Sequence, residues 1–140
     1  MKIILYPLDK IVFEDNTEIK LGMSKNDVVA ILGQGETYND LRYYYHDSEL
    51  AVDFSKDTGK VEFIEFLGGS EGNYQPEIYG VKAFQTDADE LMQILAEKND
   101  GDIDSEEDAV SYLEISVGIY RENYDERWET IGIGVKDYYC

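Results

Sequence analysis

Residues 41–68 read LRYYYHDSELAVDFSKDTGKVEFIEFLG, three apolar and aromatic runs separated by HDSE and KDTG. Runs of this length rich in Tyr, Val, Ile and Phe are strand chemistry, and the Asp, Ser, Thr and Gly between them are turn chemistry. The stretch predicts a three-stranded antiparallel meander. Alternation along a strand sends Tyr43 and Tyr45 to one face and Tyr44 to the other. One set is expected in the core; an exposed set would suit a protein interface, where Tyr is enriched.

Two helices flank the meander. In LGMSKNDVVAILG, residues 21–33, Ser24 is a good N-cap, Asp27 stands three residues later, and Met23 and Val28 hold the hydrophobic-staple positions. Val28, Ile31 and Leu32 share one face, and Gly33 is the stop. In FQTDADELMQILAEKNDG, residues 84–101, Thr86 and Asp89 repeat the cap logic. Ala88, Leu91, Ile94 and Leu95 make the buried stripe, and Asp87, Asp89 and Glu90 suit the positive end of the helix dipole.

Most of the remainder has strand character. Ile3 to Phe13 is apolar with Pro7 in the middle, which predicts two short strands or a broken edge strand. Residues 111–122, SYLEISVGIYRE, place Leu113, Ile115, Val117 and Ile119 on one face, and residues 127–139, RWETIGIGVKDYY, do the same with Ile131, Ile133 and Val135. ENYDE, residues 122–126, would join them as a hairpin. Residues 68–80, GGSEGNYQPEIYG, look like a Gly-rich connection between halves 1–70 and 80–140, each of which can be written as strand, capped helix, strands. The expected fold is α+β, one domain over residues 1–140, with an antiparallel β-sheet carrying two main helices on one face. Neither half alone would bury an independent core.

Net charge is −19, and the twelve bases are scattered with no three adjacent. Nucleic acid and anionic membrane surfaces would be repelled, which leaves solubility, cations or basic proteins to account for the acids. Of these a basic protein is the informative option, since opposite fields speed encounter. The first seventy residues carry 13 acids and 7 bases and the second seventy 18 and 5, so net charge divides −6 and −13. The opening MKIILYPLDK is shorter in its apolar run than a secretory signal requires, and no window approaches a membrane span. A lone Cys140 cannot form an intramolecular disulfide, so a cytoplasmic setting is expected.

Residues 99–108, NDGDIDSEED, hold six carboxylates in ten positions. Counting from Asp100, the acids Asp102 and Asp104 fall on positions three and five of a calcium loop. Position six is then Ser105 instead of Gly, and position twelve is Ser111 instead of the bidentate Glu. The segment is expected to be a solvated acidic connection. The one histidine, His46, lies beside a turn and has no Ser or Cys context for triad chemistry. His and Cys are too few for a zinc site, and neither GGSEG nor GQG has the spacing and Lys of a phosphate loop. No cofactor or metal is expected.

Opposite the apolar face of the final hairpin, Ser116, Gly118, Gly132 and Gly134 form a lane of small residues bordered by Tyr120, Trp128 and Tyr138. Repeated strand glycine marks close approach to the backbone, either by the protein's own helix or N-terminal segment or by a partner.

The run IKLGMSKNDVVAILGQGETYNDLRYYYHDSELAVDFSKDTGKVEFIEFLGG, residues 19–69, resembles the repeat of β-lactamase-inhibitory-protein-like and small outer-membrane-assembly lipoprotein domains. The likeness lies in Leu-Gly-Met-Ser, a short helix, Leu-Gly and then a tyrosine-bearing meander. As a small acidic chain ending in GIYRENYDERWETIGIGVKDYY, the whole is similar to bacterial immunity proteins of polymorphic-toxin and contact-dependent-inhibition systems. That resemblance implies a stoichiometric, non-enzymatic inhibitor covering the active site of a cognate toxin, often a basic nuclease. On this reading Asp100, Asp102, Asp104, Glu106, Glu107 and Asp108 attract the partner, and Tyr120, Trp128 and Tyr138 supply contact area. The alternatives are a small-molecule or cation-binding module and a hydrolase of unrecognised type.

Overall fold

Pro7 divides the first apolar run into β1 (Lys2–Tyr6) and β2 (Lys10–Phe13), an antiparallel hairpin to which β3 (Glu18–Lys20) adds. The structure, a computed structural model, describes residues 1–123 and 126–139. Tyr124 and Asp125 of the expected ENYDE connection, and Cys140, lie outside the described residues.

Helix α1 (Lys25–Leu32) begins where its cap predicts, the Asp27 N–H donating to Ser24 Oγ at 3.2 Å, and ends at Gly33, whose φ of +91° suits only glycine. Val28 is fully buried and Met23 and Leu32 pack at the margin of the core. Ile31, from the same expected stripe, is 41% exposed. The meander follows as β4 (Glu36–Thr37), β5 (Arg42–Tyr45), β6 (Leu50–Phe54) and β7 (Val61–Phe66), all antiparallel, with Tyr43 and Tyr45 buried.

The glycine-rich segment 68–80 is not a free connection. It forms a short 3-10 turn at Gly69–Glu71 and then β8 (Gln75–Ile78), which pairs parallel with β1 and antiparallel with β9 (Val81–Lys82). Gln75 N–H donates to the Met1 carbonyl on the β1 side, so Pro76 turns its ring nitrogen toward β9, whose ladder pairs only Glu77 and Ile78 and asks no donor of it.

Helix α2 (Ala88–Asn99) starts after Asp87, not Thr86, whose hydroxyl instead donates to the Lys82 carbonyl at 2.6 Å. Leu91, Leu95 and Asn99 are buried, with Ala88, Met92 and Ala96 at the flank, so the stripe turns toward Met92 rather than Ile94. Beyond it come β10 (Ile103–Ser105), β11 (Ala109–Tyr112), β12 (Val117–Tyr120) and β13 (Thr130–Gly134). The single strand expected over 111–122 is thus two strands, broken at 113–116. The break has a local cause. The N–H groups of Glu114 and Ile115 donate to buried Asn99 Oδ1 at 2.8 and 3.1 Å, away from any ladder, and Ser116 sits at φ +50°.

These strands make two sheets in place of the expected one. A mixed five-stranded sheet has the order β3-β2-β1-β8-β9, and an antiparallel eight-stranded sheet has the order β10-β11-β12-β13-β7-β6-β5-β4. The class is α+β, mostly antiparallel with two helices. Read outward from the β7–β13 seam, the large sheet has a four-stranded meander on each side, one after each helix. Cross-strand partners share a face, and the row Tyr43, Val52, Ile64, Ile133, Val117, Tyr112 runs across the sheet into one core. Tyr45 Oη reaches the Gly33 carbonyl at the end of α1, and Tyr112 Oη reaches the Met92 carbonyl in α2.

Candidate protein-interaction face

Because the row beginning at Tyr43 points inward, the alternate residues point outward: Tyr44, Ala51, Glu65, Gly132, Gly118, Ser111 and Asp104 pair in succession across the opposite face. This face is polar and tyrosine-bearing.

The acidic segment lies at one edge of that sheet. Asp100 caps α2 in the left-handed conformation at φ +45°. Asp102 is exposed, and its carbonyl accepts from Asn99 Nδ2 at 3.0 Å and Leu113 N at 3.1 Å. Asp104 lies within β10, which is exposed along its length. Glu106 and Glu107 are exposed at the following turn, and the Asp108 carbonyl accepts from Arg121 N at 2.9 Å. Part of the expected solvated connection is therefore an edge strand, with carboxylates of the kind that discourage edge-to-edge pairing.

Tyr120 is 43% exposed on β12, two residues beyond Gly118 and thus on the same outward face as Asp104. It lies in a shallow groove with Glu65, Glu122, Glu129 and Thr130. Glu65 is already paired with Arg42, so an incoming guanidinium or ammonium would meet the face of Tyr120 and the carboxylates of Glu122 and Glu129. Glu65, Glu122 and Glu129 went unnoticed in the sequence. Glu65 comes near Tyr120 only because β7 pairs with β13, a pairing distant in sequence, whereas Glu129 lies across the expected β12–β13 hairpin, its N–H donating to the Tyr120 carbonyl at 3.0 Å.

Trp128 does not belong to this surface. It is 1% exposed, its Nε1–H donates to the Ala88 carbonyl at 3.1 Å, and the Arg121 guanidinium stacks 4.1 Å from its ring. Its size and apolar ring make it a core residue where the sequence suggested a contact residue. Tyr138 is half-buried and stacks on Phe63, 4.6 Å between centroids and 7° between planes. The small-residue lane is filled from within by neither a helix nor the N-terminal segment. A Cβ on Gly118 would meet Tyr139 Oη, one on Gly132 the Phe63 ring, and one on Gly134 the Tyr138 side chain. Burial pushes the Tyr138 hydroxyl up to about 12 and raises that of Tyr139 further.

Beside these tyrosines Arg42 bonds Asp53 at 2.9 Å, contacts Glu65, and donates from Nε to Tyr44 Oη at 3.1 Å. Asp53 Oδ1 is buried without a hydrogen-bond partner among the described residues. Desolvation outweighs the pull of Arg42, and repulsion from Glu65 and Glu62 adds to it, so the Asp53 carboxyl is pushed up to about 6. The folded state therefore holds this proton more readily than the unfolded chain. Its contribution to stability grows as pH falls from above 6 toward 4, and at neutral pH the ionised group costs about 3 kcal/mol. Asp53→Asn, which leaves Arg42 its Glu65 partner, should raise stability at pH 7.5 and flatten this part of its dependence between pH 4 and 7. Urea titrations across that range check both effects.

Among the described residues no group of three or more His, Cys, Asp or Glu side chains is placed to hold a metal ion, and no helix is long and apolar enough to cross a membrane. Comparison with protein-family models, curated proteins and solved structures finds no match to the chain.

Proposed function

We propose that the protein is a non-enzymatic binding domain whose partner is a basic protein, most concretely a toxin that it neutralises in the cytoplasm by covering the active site. The observation that carries this reading is the exposed Tyr120 ringed by Glu65, Glu122 and Glu129 on the sheet face that ends in the acidic strand. Long-range attraction comes from Asp102, Asp104, Glu106 and Glu107. Short-range contact comes from Tyr120, whose rigid ring costs little entropy to dock. The paired meanders and the contacts of Tyr45 with α1 and Tyr112 with α2 support two similar halves with both helices on the inner face. The C-terminal tyrosines cover the part of the outer face over Gly118 and Gly134, and the part around Tyr120 and β10 is left for a partner. The formal charge disfavours nucleic acid as that partner.

The test uses the polypeptides encoded by the genes flanking this one. Mixed with the purified chain, a basic toxin domain among them should form a 1:1 complex and lose its activity. Reversing Asp102, Asp104, Glu106 and Glu107 to Lys should slow association about tenfold or more at low salt, and Tyr120→Ala should mainly speed dissociation. Association rates indifferent to both charge reversal and salt would sink the electrostatic part of the reading. A complex unaffected by Tyr120→Ala would move the interface elsewhere.

A further inference from the structure

A second groove shares no lining residue with that around Tyr120. It lies between the β2–β3 turn, the end of α1 and the β5–β6 turn. Phe13, Ile31, Leu32 and Tyr74 give it an apolar floor, and the carboxylates of Glu14 and Asp15 stand on its rim. Ile31 is the informative residue. It follows Val28 at helical spacing, so the pattern that buries Val28 assigns it to a covered face, yet the fold leaves it 41% exposed. A second feature marks the same wall. His46, Asp47 and Ser48 take φ of +53°, +56° and +66°, three successive non-glycine residues in the left-handed region, and hold the His46 ring 4.8 Å from Tyr74. Such a run costs free energy at each residue, and strain of this kind concentrates at binding and clamping sites.

We infer that this groove is a second docking site, whose occupant is a segment of a partner protein presenting an apolar side chain next to a lysine or arginine. The apolar side chain would cover Ile31 and the Tyr74 ring, and the base would meet Glu14 and Asp15. Charge complementarity selects this occupant. A second copy of the chain would bring its own rim acids and its own −19 charge against the first. An uncharged apolar ligand would leave the rim unused. The site stands apart from the Tyr120 face, so either can fail without the other.

The full chain, carrying methyl and ring labels, is titrated with the amidated peptide Lys-Leu-Phe-Arg. Glu-Leu-Phe-Glu and Lys-Ser-Ser-Arg serve as controls. Saturable shifts of the Ile31 methyl and His46 ring signals are expected with the first peptide alone. Ile31→Ser should weaken the His46 ring shifts, and Glu14→Lys with Asp15→Lys should weaken the shifts at both residues about fivefold or more. Both changes fall on exposed positions, and unchanged circular dichroism verifies folding. The inference is overturned if no saturable shift occurs up to about 5 mM, which lies beyond weak specific binding. It is equally overturned if either control peptide acts as strongly, if the shifts cluster around Tyr120 instead, or if they grow with protein concentration as a dimer forms.

Discussion

Trp128→Ala is expected to cost about 3–5 kcal/mol, the range for emptying a buried indole site, and to lower the melting temperature by roughly 10 °C or more. Three losses combine. The ring leaves a cavity beneath the final hairpin, the Ala88 carbonyl at the start of α2 loses a side-chain donor, and the Arg121 guanidinium loses the surface on which it stacks. Differential scanning calorimetry measures the effect. Tyr120→Ala, made in parallel at a 43% exposed position, should change melting by little. A small effect at Trp128 together with a large loss of partner binding would return that residue to the interface and contradict the packing described above.

Asn99→Ala should cost about 2–4 kcal/mol, though it removes only a small polar group. Its amide is nearly inaccessible and ties three backbone groups together, accepting from Glu114 N and Ile115 N and donating to the Asp102 carbonyl. Alanine would leave the buried Ile115 N–H and the partly buried Glu114 N–H without this acceptor, and an enclosed donor left unpaired costs more than the bond it loses. It would also release the acidic strand from the turn between β11 and β12. Hydrogen exchange should accelerate at Glu114 and Ile115 well before it does in β13. Uniform acceleration throughout the sheet would show instead that the side chain supports the whole fold and not this junction.

The same two residues show what could be read in the chain. The helices, the central meander and the Ser24 cap rest on spacing and chemistry within a dozen residues, and the structure keeps them. Thr86 misled because its hydroxyl has a better acceptor one turn upstream, at Lys82. The broken strand at 113–116 was hidden because its cause, Asn99, sits on another element. Trp128 looked like a contact residue because a tryptophan between polar neighbours gives no local sign of being buried. Its burial depends on α2, forty positions away in sequence. The parallel step from β1 to β8 had no signal in a short segment containing Pro76. Composition announced the acids around Asp104, but the ring about Tyr120 exists only once β13 lies between β12 and β7.

The two sheets are each closed by a pairing between distant parts of the chain, Phe63 with Gly134 in one and Ile3 with Pro76 in the other. During synthesis the first meander can form its own hairpins, but β7 stays an open edge until β13 has left the ribosome. Until then the apolar row Tyr43, Val52, Ile64 stops at Ile64 without its Ile133 partner, so the nascent chain passes through a period when chaperones would find it attractive. Completion should be slow for a chain of this size, because so much of its pairing is non-local.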